Sequence, residues 1–302
     1  MNRVFSALIV TALAGLAGCS AKPYKYSDNY SEAHNLTRAA QMHSGIKDSP
    51  MPDNFDPTSS GVYNASYLAT STAIPMGGMS MAQGFGFGLA SVLLDPKDHG
   101  ARESMFGWMP LEGTPEEVQS KIMHEIRDAI IASIEELGGK PKVSYFNLER
   151  RILGISVEKE EWGCMPYSVV SEAFMRKEIK GKEIMEKLCS VIFALRVPSV
   201  SLTPDFLVGK HGLGEKSYSF PADERYNYSR LIVSNGRTGV DKKAGDARLP
   251  EHLLYERISS KMPETLYLYL PAKSVTIGDE NNTALPYPQV LSKGETKLFF
   301  KP

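Results

Sequence analysis

The stretch nearest to a phosphate-binding loop is Gly209-Lys210-His211-Gly212-Leu213-Gly214-Glu215-Lys216-Ser217. Such a loop needs GxxxxGK followed by Ser or Thr, so that backbone N–H groups cradle phosphates within reach of the lysine. Here Glu215 separates Gly214 from Lys216, which breaks the spacing and sets a carboxylate where phosphates would lie. Tyr218-Ser219-Phe220-Pro221 follows, not a helix with an open N-terminus for the anion. The stretch reads as a mobile surface loop. The six histidines, His34, His43, His99, His124, His211 and His252, show no metal-ligand spacing, and His124-Glu125 lacks the second histidine of HExxH. His34 and His43 share one N-terminal stretch and could form only an adventitious site. No GxSxG elbow or SxxK pair activates a serine. Glu161 and Asp205 are examples of acids that an unmotifed site could use, and nothing in the sequence brings them together. The reading therefore assigns no catalytic residue, no metal ligand and no cofactor.

Tyrosines carry the next signal. Leu266-Tyr267-Leu268-Tyr269-Leu270 alternates as a strand with two different faces. With the leucine face buried, Tyr267 and Tyr269 point outward together, as candidates for peptide, protein or glycan contact. The competing reading is burial on both faces of a sheet.

The chain has 302 residues, 42% hydrophobic and 23% charged, enough for a sizeable core in one or two domains. A net charge of -1 supplies no basic field to attract nucleic acid. Arg3 and the apolar run 4–14 form the pattern of an export signal, too short for an ordinary spanning helix. It ends in Leu16-Ala17-Gly18-Cys19, which resembles the lipobox of bacterial lipoproteins. The resemblance covers about the first twenty residues. It implies cleavage after residue 18, acylation of Cys19, and membrane lipid as the first partner. Ser20, where an Asp commonly favours inner-membrane retention, implies an outer-membrane address facing the periplasm. One acyl chain binds reversibly and several anchor stably, so a protein of this class needs no spanning helix.

If Cys19 takes lipid, Cys164 and Cys189 remain of the three cysteines. An even pair in an oxidising compartment usually bonds, which would stabilise the fold by about 3 kcal/mol. Two buried free thiols, or a metal or reactive site, are the alternatives.

Residues 19–75 read as a lipidated N-terminus and flexible tether, rich in Ser, Asn, Asp, Pro and Tyr, with a short helix around 31–42. Thr114-Pro115-Glu116-Glu117 opens a long amphipathic helix: Thr caps, Pro suits the first position, and Glu117 completes a capping box. Val118, Ile122, Ile126, Ile130 and Ile134 then form its apolar stripe, ended by Gly138-Gly139. Core packing is favoured over a membrane-surface role, because acids and bases mix on the polar face. Residues 142–148 and 152–158 suggest a hairpin, 167–187 a helix interrupted at Gly181, and 188–197 a buried strand. The span 202–249 reads as loop-rich with one strand at 228–233. A helix over 250–261 and a terminal hairpin around Ser292-Lys293-Gly294 complete an α+β body over 95–302.

Between tether and body lies 76–94, MGGMSMAQGFGFGLASVLL, uncharged and holding five glycines. As a helix it would extend about 28 Å, close to the roughly 30 Å hydrocarbon core. Ser80, Gly84 and Gly88 recur every four residues, a small-residue ridge suited to helix packing or membrane contact. The segment resembles the glycine-zipper stretches of some bacterial envelope lipoproteins. Five helical glycines would cost roughly 4–5 kcal/mol, which weighs against an independent helix. Packing on the body, membrane contact with self-association, and a mobile arm all stay open. The expected protein is thus a lipid-anchored envelope component with a binding or assembly role toward another envelope protein or a glycan. The alternatives are an oligomeric subunit of an export or transfer apparatus, or an envelope hydrolase.

Overall fold

A computed structural model of the chain describes residues 22–43, 45–51, 99–166, 168–169, 173, 175–176, 188–222, 229–234, 249–272 and 287–302. Three α-helices lie among them: α1 (Glu32–Ala39), α2 (Pro115–Glu136) and α3 (Glu251–Lys261). The strands in chain order are β1 (Ser104–Pro110), β2 (Lys140–Asn147), β3 (Ile152–Glu158), β4 (Cys189–Ala194), β5 (Ser199–Leu202), β6 (Lys216–Phe220), β7 (Arg230–Ser234), β8 (Leu266–Leu270), β9 (Gln289–Ser292) and β10 (Glu295–Leu298). No helix among the described residues is long and apolar enough to cross a membrane.

The start of α2 follows its sequence. Thr114 Oγ1 accepts from Glu117 N at 3.2 Å, and Glu117 Oε2 accepts from Thr114 N at 2.7 Å, so two otherwise orphaned backbone donors are satisfied. Val118, Ile122, Ile126, Ile130 and Ile134 are all buried, on one stripe facing the main core. The β9–β10 turn places Lys293 at φ 53° and Gly294 at φ 80°, a left-handed pair that matches the twist of a tight hairpin.

The strands form two antiparallel sheets, giving an α+β body. The larger has the order β10-β9-β8-β1-β6-β5, and the smaller β2-β3-β4-β7. They meet where Met105 N donates to Ser229 O at 2.8 Å. The smaller sheet sends Leu153, Ile155, Val157, Val191, Phe193, Leu231 and Val233 into the main core beneath α2 and α3. Tyr255 ties α3 to β7: its hydroxyl accepts from Val233 N at 2.9 Å and donates to Leu231 O at 3.2 Å. Complete burial pushes that hydroxyl well above the ordinary tyrosine range. The Cys164–Cys189 disulfide is present, with Cα atoms 5.2 Å apart, and pins the turn after β3 to the start of β4.

Three strands correct the sequence reading. β1, which lies between β8 and β6 in the larger sheet, was not expected as a strand, and β5 and β6 fall at the edge of or within the supposedly loop-rich region. β1 is buried on both sides, so it lacks the alternation that marks a half-exposed strand. Its Gly107 is required by close approach, because a Cβ there would fall on the Thr265 carbonyl oxygen.

The N-terminal stretch is a second correction. Residues 22–43 and 45–51 are not a tether; they fold across the face of the larger sheet opposite α2 and α3. Ala33, Leu36, Ala40, Met42 and Ile46 pack there with Phe106, Trp108, Tyr267, Tyr269, Val290 and Phe299 in a separate core. The expected short helix is α1, capped by Ser31. Residues 52–75 of the expected tether, and 76–94, lie outside the described residues.

Candidate functional site

An open cleft of about 520 Å³ lies where three elements end beside the middle of α2. The helix contributes Lys121, Glu125 and Asp128, which the i, i+4, i+7 spacing stacks on one face. Ala129 and Met109, from the end of β1, line it with apolar surface. Lys261, Met262 and Pro263 follow from the end of α3, and Lys293 comes from the tip of the β9–β10 hairpin. The left-handed backbone at Lys293 turns its side chain so that Nζ donates to Met262 O at 3.0 Å, at the carbonyl end of α3. Lys261 Nζ sits 2.8 Å from Glu136 Oε1, and the hydrogen bond it donates holds that exposed carboxyl below its ordinary range. Glu125 Oε2 is enclosed and has no hydrogen-bond partner. The cleft therefore combines three lysines, two carboxylates and an apolar strip, with no nucleophile–base pair on its walls. Such a lining offers charged partners and apolar surface to a polar ligand or segment.

The sequence-derived site residues are dispersed. Cys164 and Cys189 meet in the disulfide. Tyr267 and Tyr269 do alternate away from the leucines, but they face the covered side of the sheet and are 6% and 1% exposed. The expectation of an exposed tyrosine pair is thereby overturned. Tyr267 stacks on Phe106 at 5.5 Å, and Tyr269 Oη donates to Gly100 O at 3.0 Å. Burial, with a smaller contribution from Glu32, pushes the Tyr267 hydroxyl up to about 12. Cys19, Ser80, Gly84 and Gly88 lie outside the described residues. The 209–217 stretch forms turns with Gly209, His211 and Gly212 at positive φ, then enters β6, so Lys216 and Ser217 are strand residues.

Ser31, His34 and Asp48 converge by residue type on a catalytic triad, and the geometry argues against that role. Ser31 Oγ donates to Asp48 Oδ1 at 2.6 Å, while His34 Nδ1 lies 2.9 Å from Asp48 Oδ2. Serine and histidine thus share the carboxylate, whereas a nucleophile needs the histidine as its own base. Ser31 Oγ also accepts from His34 N at 3.1 Å, as the helix cap. The three residues are a staple closing the N-terminal segment. The remaining histidines are also in structural contacts: His99 Nδ1 accepts from His43 N, His124 bonds Ser120 O, His211 pairs with Glu264, and His252 pairs with Gln289. No group of three or more His, Cys, Asp or Glu among the described residues is arranged to hold a metal.

Sequence reasoning missed both the cleft and the staple. Ser31 immediately before α1 is a readable cap signal. Asp48 carries no local signal, and neither does the meeting of the ends of β1, α3 and the β9–β10 hairpin beside α2. No family model matches the chain, and no curated protein or solved structure is significantly similar to it.

Proposed function

We propose that the chain is a lipid-anchored component of the bacterial cell envelope, held at the outer membrane through acylated Cys19, with a non-catalytic binding or assembly role for its periplasm-facing body. The observation that carries this reading is the cysteine balance. Cys164 and Cys189 are joined, so Cys19, at the end of Leu16-Ala17-Gly18-Cys19, is the one cysteine left for lipid. The disulfide also suits an oxidising compartment. The open cleft between α2, α3 and the β9–β10 turn is the binding surface in this proposal, where mixed charge favours a polar segment of an envelope protein or a glycan.

Intact-mass measurement and membrane flotation of the native protein test the anchor. The expected product begins at Cys19, carries acyl chains and floats with membranes, while Cys19→Ser abolishes acylation and releases the body. A mature chain beginning elsewhere, without lipid, would refute the reading. Crosslinking in cells from a photoreactive residue at Lys121 tests the binding role. Loss of the crosslinked partner on Lys261→Glu is the expected outcome, and no specific adduct argues against the cleft.

A further inference from the structure

We infer that the corner built from residues 22–26 and 205–210 is the foot on which the body rests against the bilayer. This rests on acylation of Cys19.

Cys19 precedes Lys22 by three residues. Three fully extended links span at most about 11 Å. A body whose packed structure begins there cannot stand far off the membrane, so the surface around Lys22 must lie close to the headgroups. That surface is tied to the turn between β5 and β6 and to α1. Tyr24 O accepts from Asp205 N at 3.0 Å, and Tyr26 N donates to Asp205 Oδ1 at 3.2 Å. Phe206 meets the edges of both Tyr24 and Tyr26, at 6.3 and 5.4 Å between centroids. The Tyr24 hydroxyl donates to the buried Asn35 at 3.1 Å.

The chemistry of the corner suits a headgroup layer. Tyr26 and Val208 are each 41% exposed, and Phe206 is half-buried between them and the body. Lys22, Lys25 and Lys210 are exposed around them. Amphipathic aromatic rings settle at the membrane–water interface, and lysine stems lie along apolar surface while their ammonium groups reach phosphate. Of the acids near these residues in chain or space, Asp205 is engaged by the Tyr26 N–H, Glu264 pairs with His211, and Asp28 is exposed.

The chain that follows this corner, through Gly212 and Tyr218, abuts the segment leading into α2. Gly212 lies against Pro110, and Tyr218 Oη donates to Gly113 O at 2.8 Å, just before the cap. Glu135, exposed in the last turn, is roughly 30 Å further along the helix.

The test uses the acylated mature protein in phosphatidylethanolamine–phosphatidylglycerol vesicles. A fluorophore is placed through Val208→Cys, Lys210→Cys or Glu135→Cys, one at a time, with nitroxide on the lipid headgroups. Several-fold stronger quenching at positions 208 and 210 than at 135 is expected. Equal quenching in protein that carries lipid and floats overturns the foot and leaves the anchor standing. Protein that lacks acyl chains and does not float overturns the anchor, and the foot with it. All three positions are exposed, so labelling them does not require the fold to yield.

Discussion

The two faces of the six-stranded sheet are covered in different ways. One face is closed by α2 and α3, which satisfy their own backbone hydrogen bonds and need only an apolar stripe. The other is closed by residues 22–43 and 45–51, of which only α1 is helical. An irregular cover must satisfy its backbone groups by other means, and here buried polar side chains do much of that. Asn35, fully buried, accepts from Ser27 N and donates to the carbonyl oxygens of Ser27, Tyr30 and Ser31. Asp48 accepts from Ser31 N and Ser31 Oγ and pairs with His34. Backbone bonds then lace the segment to the sheet, through Ala222 N to Ala40 O and Ser49 N to Phe299 O. The difference teaches that a helical cover is stabilised by pattern, whereas an irregular one is stabilised by individual side chains.

The strongest test of that contrast uses two adjacent residues of β1. Met105 and Phe106 are both 0% exposed, on the helical and N-terminal sides respectively. Phe106→Ala is expected to destabilise by about 3–5 kcal/mol, Met105→Ala by about 2–5 kcal/mol. Hydrogen exchange should separate them. Phe106→Ala opens amides of residues 36–42 first, while Met105→Ala loosens α2 and the sheets together. Identical exchange patterns would break the contrast.

Replacing Cys164 and Cys189 together by Ser opens a sequence separation of 25 and should cost about 3 kcal/mol in chemical denaturation. The loss belongs to the helix-covered core, so N-terminal amides should open only with global unfolding. Asn35→Ala should cost about 2–3 kcal/mol, since several enclosed backbone groups lose their partner. Limited proteolysis near residues 27–31 should rise well before the melting temperature falls comparably.

Alkaline pH offers a smaller probe of the covered face. The Tyr267 hydroxyl is raised to about 12, so the folded state holds its proton more tightly than the unfolded chain. Its contribution is complete below the ordinary tyrosine pKa and is lost as pH rises through the folded value. One pH unit above that ordinary pKa, about 1.4 kcal/mol is gone. Tyr267→Phe should flatten this part of the pH–stability curve while leaving neutral stability nearly unchanged. Smallest of all, Thr114→Ala should cost about 1 kcal/mol, by removing one cap from a helix otherwise held by packing.

Legibility in the sequence follows the same division. The α2 capping box, the β2–β3 and β9–β10 hairpins, α3 and the paired cysteines were readable because their determinants lie close together or are few in kind. The alternation in β8 correctly separates Leu266, Leu268 and Leu270 from Tyr267 and Tyr269. It could not say that the tyrosine side is covered, because the covering residues lie more than two hundred positions earlier in the chain. The polar composition of 22–51 suggested a tether. The same Ser, Asn and Asp side chains serve instead to satisfy an irregular backbone. The cleft was invisible for a related reason: Lys121, Lys261 and Lys293 belong to separate elements.

The sequence by itself determined the three helices, the two hairpins and the alternation of β8, the α+β class, the candidate anchor at Cys19 and the pair of cysteines available for bonding. These depend on periodicity, caps, turn residues and short motifs, all of which act within a few residues. Tertiary structure alone decided that the N-terminal segment is part of the core, that Tyr267 and Tyr269 are buried, and that separate elements meet at an open cleft. Those outcomes depend on which surfaces meet across the whole chain, and burial is a property of the pair rather than of either surface.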